Sequence, residues 1–263
     1  MRVKIRDIDV TYSVAGDGPP VILIHGLAED HISWANVQGA LPDHRTYAYD
    51  LRGHGGTSVG HGDGTLAQLG NDLLAFIETV TGPAMCVGYS LGGTVVLWAA
   101  AHKPDLITRA VVAGTSSVVG RRAGEFFEQR IDALMQDISG FAEALRSDTA
   151  AQLVAKPEQT DQVTKRRLAA VGDGRGYINA ARAMRRLVDE PLTAILPKIR
   201  CPVEVIGGAQ DSFCPRKAAD MLVTSLPDAR YQEIAGAGHL ISIDNPAGYA
   251  AAIRHALDGS VRE

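Results

Sequence analysis

This chain is short of cysteine, of net charge and of long apolar runs, and each shortage removes a class of function. Its three cysteines, Cys86, Cys201 and Cys214, are odd in number and far apart, with no Cys-x-x-Cys pair. That excludes a disulfide framework and a cysteine zinc site; Cys86, inside an apolar run, reads as a small core residue. A net charge of −4 over 263 residues leaves no electrostatic footprint for nucleic acid or an anionic membrane. No apolar stretch reaches membrane length, and the start, Met1-Arg-Val-Lys-Ile-Arg-Asp, lacks the apolar segment of a signal peptide. A soluble, reducing, cytoplasmic setting is the expectation. Also missing are a Gly-x-Gly-x-x-Gly run after Val21–Ile24, a P-loop and a His-Glu-x-x-His pair. A metal site at His25/His31 or His54/His61 would need ligands converging from flexible loops. The expectation is no cofactor and no metal.

What is present is a large apolar fraction, 46%, enough for one large α/β domain with an insertion. Val3–Arg6 and Val10–Val14 read as a hairpin. Val21–Ile24 is continuously apolar, as a strand covered on both faces should be. Arg45–Tyr49, Ala84–Val87, Ile107–Ala113, Cys201–Ile206 and Ala229–Ile234 follow as strands. Helical spacing covers Leu66–Val80, Gly93–Ala101 and Pro246–Leu257, the last capped by Asp244 or Asn245. Strands alternating with helices imply crossovers and a mostly parallel sheet. Between about Ser116 and Pro191 strand signals vanish and apolar residues recur at helical spacing. We read residues 1–117 and 193–263 as the core and 118–192 as a helical lid.

The most informative stretch is Gly88-Tyr89-Ser90-Leu91-Gly92. A serine in a Gly-x-Ser-x-Gly frame, after a strand and before a helix, is the sequence form of a sharp turn that exposes a hydroxyl. Glycines keep so tight a turn free of clashes, and the helix start offers orphan N–H groups to negative charge. Serine needs a base. His239, in the Gly-rich loop Ala235–Gly238 after a strand, is the best of eight histidines. The base needs an orienting carboxylate, and Asp211 follows the Val203–Ile206 strand, at the sheet edge where ligands bind. Oxyanion donors are expected from the backbone N–H groups of Leu27 and Leu91, with Gly26 letting the loop approach. His25 reads as an anchor of that loop. Tyr89 and Trp34 are candidates to line or support the pocket, although Trp34 reads equally as helix-start packing. Glu29, Asp30 and His31 are candidates to face the pocket mouth, but read more simply as solvated loop residues.

These residues together resemble the α/β-hydrolase superfamily along nearly the whole chain. The matching pieces are His25-Gly26 after a strand, Asp50-Leu-Arg-Gly-His-Gly55, the serine turn, Asp211 with Pro215, and Gly238-His239. The resemblance implies an eight-stranded, mostly parallel sheet with helices on both faces and a helical lid. It also implies a Ser90–His239–Asp211 triad that uses no cofactor. Asp50–Gly55 resembles a structural turn of that superfamily. Within it the chain is similar to small esterases, 3-oxoadipate-type enol-lactonases and cofactor-free haloperoxidase-like hydrolases. A serine at the elbow argues against haloalkane dehalogenases and epoxide hydrolases, which carry aspartate there. The loop His25–Asp30 lacks the Gly-Gly-Gly of many lipases and the Gly-Pro-Gly of carbon–carbon bond hydrolases.

The leading expectation is hydrolysis of a small ester or lactone through a Ser90 acyl-enzyme. The competing readings are a ligand-binding receptor with slow hydrolysis on the same fold and a carbon–carbon bond hydrolase. Arg121, Arg122, Arg182, Arg185 and Arg186 are candidates for a substrate carboxylate, and equally for solvated helix charges. Phe126, Phe127, Met135, Phe141, Tyr177 and Met184 are read mostly as packing residues. No nucleic-acid or membrane partner is expected, and a homo-oligomer is left open.

Overall fold

The computed structural model describes residues 1–259. Eight strands form one sheet: β1 (Arg2–Ile5), β2 (Ile8–Ala15), β3 (Pro20–Ile24), β4 (Arg45–Tyr49), β5 (Ala84–Tyr89), β6 (Ile107–Ala113), β7 (Val203–Gly208) and β8 (Ala229–Ile234). Their order is β1-β2-β4-β3-β5-β6-β7-β8. β1 pairs with β2, and β2 with β4, antiparallel; every other pairing is parallel. The chain leaves β3 to one side for β4, then crosses to the other side for β5. That reversal opens a crevice at the C-terminal ends of β3 and β5.

The continuous apolar strands are explained by two-sided burial. On β3, Ile22 and Ile24 feed one buried cluster, while Val21 and Leu23 feed another. β6 repeats the alternation, with Ala110 and Val112 against Val111 and Ala113. The period of two sends neighbours to opposite faces, and each buried Val, Leu or Ile contributes about 1.5–3 kcal/mol. The core helices are α1 (Ala35–Gly39), α2 (Leu66–Phe76), α3 (Leu91–His102), α8 (Arg216–Ser225), α9 (Ile241–Asp244) and α10 (Pro246–Asp258). Helix α3 is buried nearly all round, which is why it carries no polar stripe. It starts at Leu91, two residues before the sequence signal at Gly93, because the turn at Ser90 feeds it directly. α10 is capped by Asn245, whose Oδ1 accepts the Gly248 N–H at 2.9 Å.

Four further helices fill the stretch without strands: α4 (Arg121–Gln136), α5 (Ile138–Gln152), α6 (Thr160–Val171) and α7 (Arg175–Arg186). α4 packs on α5 and α7, and α5 on α6. Ile131, Phe141, Leu145, Val171, Tyr177 and Ala181 form a small core of their own, joined by Ala28 from the loop after β3. The segment leaves and rejoins the sheet domain at neighbouring points, since the Leu192 N–H donates to the Ser117 carbonyl at 2.8 Å. Among the described residues no helix is long and apolar enough to cross a membrane.

Buried polar groups hold the loops beneath the crevice. Arg52 donates through Nε and Nη2 to Asp72 at 2.7 and 2.8 Å, and through Nη1 and Nη2 to Asp7 at 3.0 and 2.7 Å. His25 accepts the Leu51 N–H at Nε2 (2.9 Å), so its proton sits on Nδ1 and donates to the Gly26 carbonyl at 2.8 Å. That ring is neutral; burial, then the neighbouring His54 ring, holds its pKa down at about 3. Burial likewise lowers His54 to about 4. Unfolded, both would protonate near their ordinary value. As pH falls below that value, the unfolded chain takes up two protons that the folded chain refuses. Stability is therefore expected to fall by about 1.4 kcal/mol per pH unit for each ring between about pH 6 and 4.5. Urea unfolding across that range tests this: His54→Gln should show a shallower slope, and an unchanged slope would refute the assignment.

Candidate active site

Ser90 sits at the turn between β5 and α3 with φ 51° and ψ −116°, a region that non-glycine residues rarely occupy. The surroundings enforce it. Its N–H donates to Ala113 O at 2.8 Å, and its carbonyl accepts from Thr94 N at 3.2 Å and Thr115 Oγ1 at 3.1 Å. A Cβ on Gly92 would lie 2.1 Å from Ile24 O, and one on Gly88 would lie 2.4 Å from the Gly92 carbonyl. Both glycines are thus steric requirements of a turn pressed against β3 and α3.

His239 follows β8, and Asp211 follows β7. His239 Nδ1 lies 2.8 Å from Asp211 Oδ2, and Nε2 lies 3.2 Å from Ser90 Oγ. The other Asp211 oxygen, Oδ1, accepts the N–H groups of Phe213 and Cys214, each at 2.8 Å. Burial pushes the Asp211 carboxyl up, but the His239 charge and hydrogen bond, with these two N–H groups, more than offset it. The carboxyl ends below its ordinary value. An ionised Asp211 can only accept, so the ring proton belongs on Nδ1 and the Nε2 lone pair faces the serine. Tyr89 Oη donates to His239 O at 2.8 Å, and the Phe213 ring stacks on the imidazole with centroids 5.5 Å apart. Both fix the ring's position.

These groups open into a cavity of about 610 Å³, whose wall includes Leu27, Tyr89, Phe126, Phe213 and Met221. The Leu27 and Leu91 N–H groups have no hydrogen-bond partner among the described residues. Gly26 lies against Tyr89: a Cβ there would meet the ring at 2.8 Å. His25 is fully buried beneath the loop, outside the cavity wall. Sequence reasoning needs three corrections here. Trp34 does not line the cavity; it is 2% exposed and stacks on Tyr249 in the core, where the short 3-10 turn His31–Trp34 ahead of α1 buries its ring. Glu29, Asp30 and His31 are not merely solvated. Glu29 borders the cavity, Asp30 caps the turn at Ile32, and His31 donates to buried Asp50 at 2.7 Å through N–H and meets it again through Nδ1. Of the six aromatic and methionine residues between Phe126 and Met184, Phe126, Phe127, Tyr177 and Met184 border the cavity; Phe141 is buried and Met135 exposed.

Of the five arginine candidates, Arg122 alone borders the cavity, and it is exposed; Arg185 pairs with Glu128 and Asp189. Sequence reasoning missed two further residues. Arg167, not among the five arginine candidates, is buried in the cavity wall. Asp244, one of the two cap candidates, leaves that role to Asn245 and accepts four backbone N–H groups: Gly238 at 2.8 Å, Ala155 at 2.9 Å, and Val154 and Lys156 at 3.2 Å. One carboxylate thereby ties the segment after α5 to the loop that presents His239. Asp244→Ala strands these donors, each unsatisfied buried group costing about 1–3 kcal/mol. A stability loss of about 3 kcal/mol is expected. Any turnover is expected to fall further than the folded fraction, read by urea unfolding alongside kcat; a neutral outcome would remove the tie.

Comparison with known proteins identifies the family to which this fold belongs. Residues 19–246 match the family described as alpha/beta hydrolase fold. The chain is 26% identical over 267 residues to 3-oxoadipate enol-lactonase 2 of Acinetobacter baylyi, covering 98% of this chain and 94% of that protein. It is 30% identical over 264 residues to a pimeloyl-[acyl-carrier protein] methyl ester esterase of Aromatoleum aromaticum, covering 92% and 99%. The crystal structure of a hydrolase from Pseudomonas aeruginosa PA01 superposes with a TM-score of 0.86 at 29% identity, covering 98% of this chain and 97% of that one. The chain belongs to the alpha/beta hydrolase fold family.

Proposed function

We propose that this protein is a serine hydrolase that cleaves a small carboxylic ester or lactone through an acyl-enzyme on Ser90. The observation that carries the reading is the alignment of Ser90 Oγ, His239 and Asp211 by hydrogen bonds of 3.2 and 2.8 Å, with Ser90 and His239 in the wall of the cavity. His239 Nε2 takes the Ser90 proton as Oγ attacks the carbonyl carbon. The carbonyl oxygen gains negative charge and faces the Leu27 and Leu91 N–H groups. Collapse expels the alkoxide, which His239 protonates; in a lactone this oxygen stays tethered to the acyl group. A water then gives its proton to His239 and attacks the acyl carbon, releasing the acid and restoring Ser90–OH. Relatives named as an enol-lactonase and a methyl ester esterase support the substrate class.

The test is steady-state turnover on short methyl esters and on five- and six-membered lactones, with a serine-directed phosphonate as covalent probe. Multiple turnover and a phosphonyl mass on the Ser90 peptide are expected. Turnover that survives Ser90→Ala, or a label elsewhere, would overturn the reading.

A further inference from the structure

We propose that Arg167 anchors a carboxylate on the substrate, so that this cavity takes esters or lactones carrying a free acid. The inference rests on the serine-hydrolase reading of the same cavity.

Arg167 lies on α6, is 8% exposed and borders the cavity that holds Ser90 and His239. Its Nη1 donates to Thr149 Oγ1 at 2.8 Å and to Gln152 Oε1 at 2.9 Å. Both partners are neutral. The Thr149 hydroxyl spends its own proton on Leu145 O at 2.7 Å, which leaves Oγ1 an acceptor aimed at the guanidinium. Arg167 Nε is buried with no hydrogen-bond partner among the described residues. No carboxylate among them stands within 4.0 Å of this side chain. Arginines in comparable settings are treated differently. Arg130 is matched by a two-point pair with Asp148, both contacts at 2.7 Å, and Arg52 by Asp7 and Asp72.

A buried guanidinium without a counter-ion is costly. Here it is also held still, because Thr149 and Gln152 fix the fork without neutralising it. The Gln152 carbonyl accepts the Leu240 N–H at 3.3 Å, so the fork is built onto the segment next to His239. A planar, always charged fork, fixed in place and facing a cavity, suits a carboxylate. Glu29 borders the same cavity and feels the Arg167 charge, but the two form no ion pair within 4.0 Å; burial pushes its carboxyl up more than Arg167 and the Gly26 N–H, at 3.3 Å from one oxygen, pull it back. Arg122 and Lys217 also border the cavity, but both are exposed, where water screens a lone charge.

The experiment compares kcat/KM for monomethyl succinate, glutarate and adipate with methyl butyrate, valerate and hexanoate, acid against neutral at each length. Wild type, Arg167→Met and Arg167→Lys are measured, each checked for folding by thermal melting. Wild type is expected to favour the acid at one chain length. In Arg167→Met the acid-to-neutral ratio should drop about 10- to 100-fold, mostly through KM, the scale of one or two charge-assisted hydrogen bonds. Arg167→Lys should keep part of the preference, and decides the matter if the Met variant does not fold. An unchanged ratio, or equal losses on both esters, would overturn the proposal and leave Arg167 a structural residue.

A second readout needs no turnover. Binding of succinate, glutarate and adipate to Ser90→Ala by calorimetry should be lost on adding Arg167→Met. Diacid binding that persists would overturn the anchor. Absent Ser90-dependent turnover with intact, Arg167-dependent diacid binding would instead overturn the hydrolase reading alone.

Discussion

Ser90→Gly and Ser90→Ala are both expected to lose on the order of 10⁴-fold or more in kcat, yet the glycine variant should be the more stable by about 1 kcal/mol. The activity loss follows from chemistry: without Oγ nothing accepts the acyl group, and His239 has no proton to take. The stability difference follows from the backbone. Ser90 sits at φ 51° and ψ −116°, where a Cβ costs about 1–3 kcal/mol. Alanine keeps that cost. Glycine removes it and gives back about 0.5–1 kcal/mol through the greater freedom of its unfolded chain. Urea unfolding of the two variants, with kcat on the best ester, tests both halves. If alanine were as stable as glycine, the turn would not be strained; if either kept wild-type turnover, Ser90 would not be the nucleophile.

Asp211→Asn should lower kcat by roughly 10⁴ while leaving the fold intact, for a reason specific to this loop. Oδ1 of Asp211 accepts two backbone N–H groups, from Phe213 and Cys214. An asparagine must present its single oxygen to those donors, which turns its NH₂ toward His239 Nδ1. That NH₂ can only donate, so Nδ1 must accept and the ring proton moves to Nε2. The histidine then meets Ser90 Oγ with a proton where it needs a lone pair. Binding should suffer far less than turnover, so the loss should appear in kcat and not in KM. A loss confined to KM would contradict this account.

The parts legible in the sequence are those where local pattern and tertiary role coincide. Val21–Ile24 is apolar throughout because both faces of β3 are covered, and the Gly88–Gly92 frame is forced by contacts of about 2 Å that any side chain would violate. The chain order of Ser90, Asp211 and His239 reflects the order of strands that carry them. Arg167 and Asp244 were illegible for the opposite reason. Lys165-Arg166-Arg167 looks like an exposed charge run, and only the fold of α5 over α6 turns its last member inward. Asp244 stands where a cap belongs, but Asn245 takes that role and frees Asp244 for donors some 90 residues away in sequence. Trp34 illustrates the limit for aromatics: a ring at a helix start fits a pocket wall or a core equally well until its neighbours are known.

The bond between Ser117 and Leu192 has an evolutionary consequence. A chain that departs and returns at one spot lets the intervening helices be exchanged wholesale, like a cassette between two fixed posts. Closing a loop costs only about 0.6 kcal/mol more for each doubling of its length, so the sheet scarcely registers how long the replacement is. Such a design lets selection vary the inserted helices while the sheet stays as it is, provided each replacement still offers Asp244 the donors that tie it to the loop of His239.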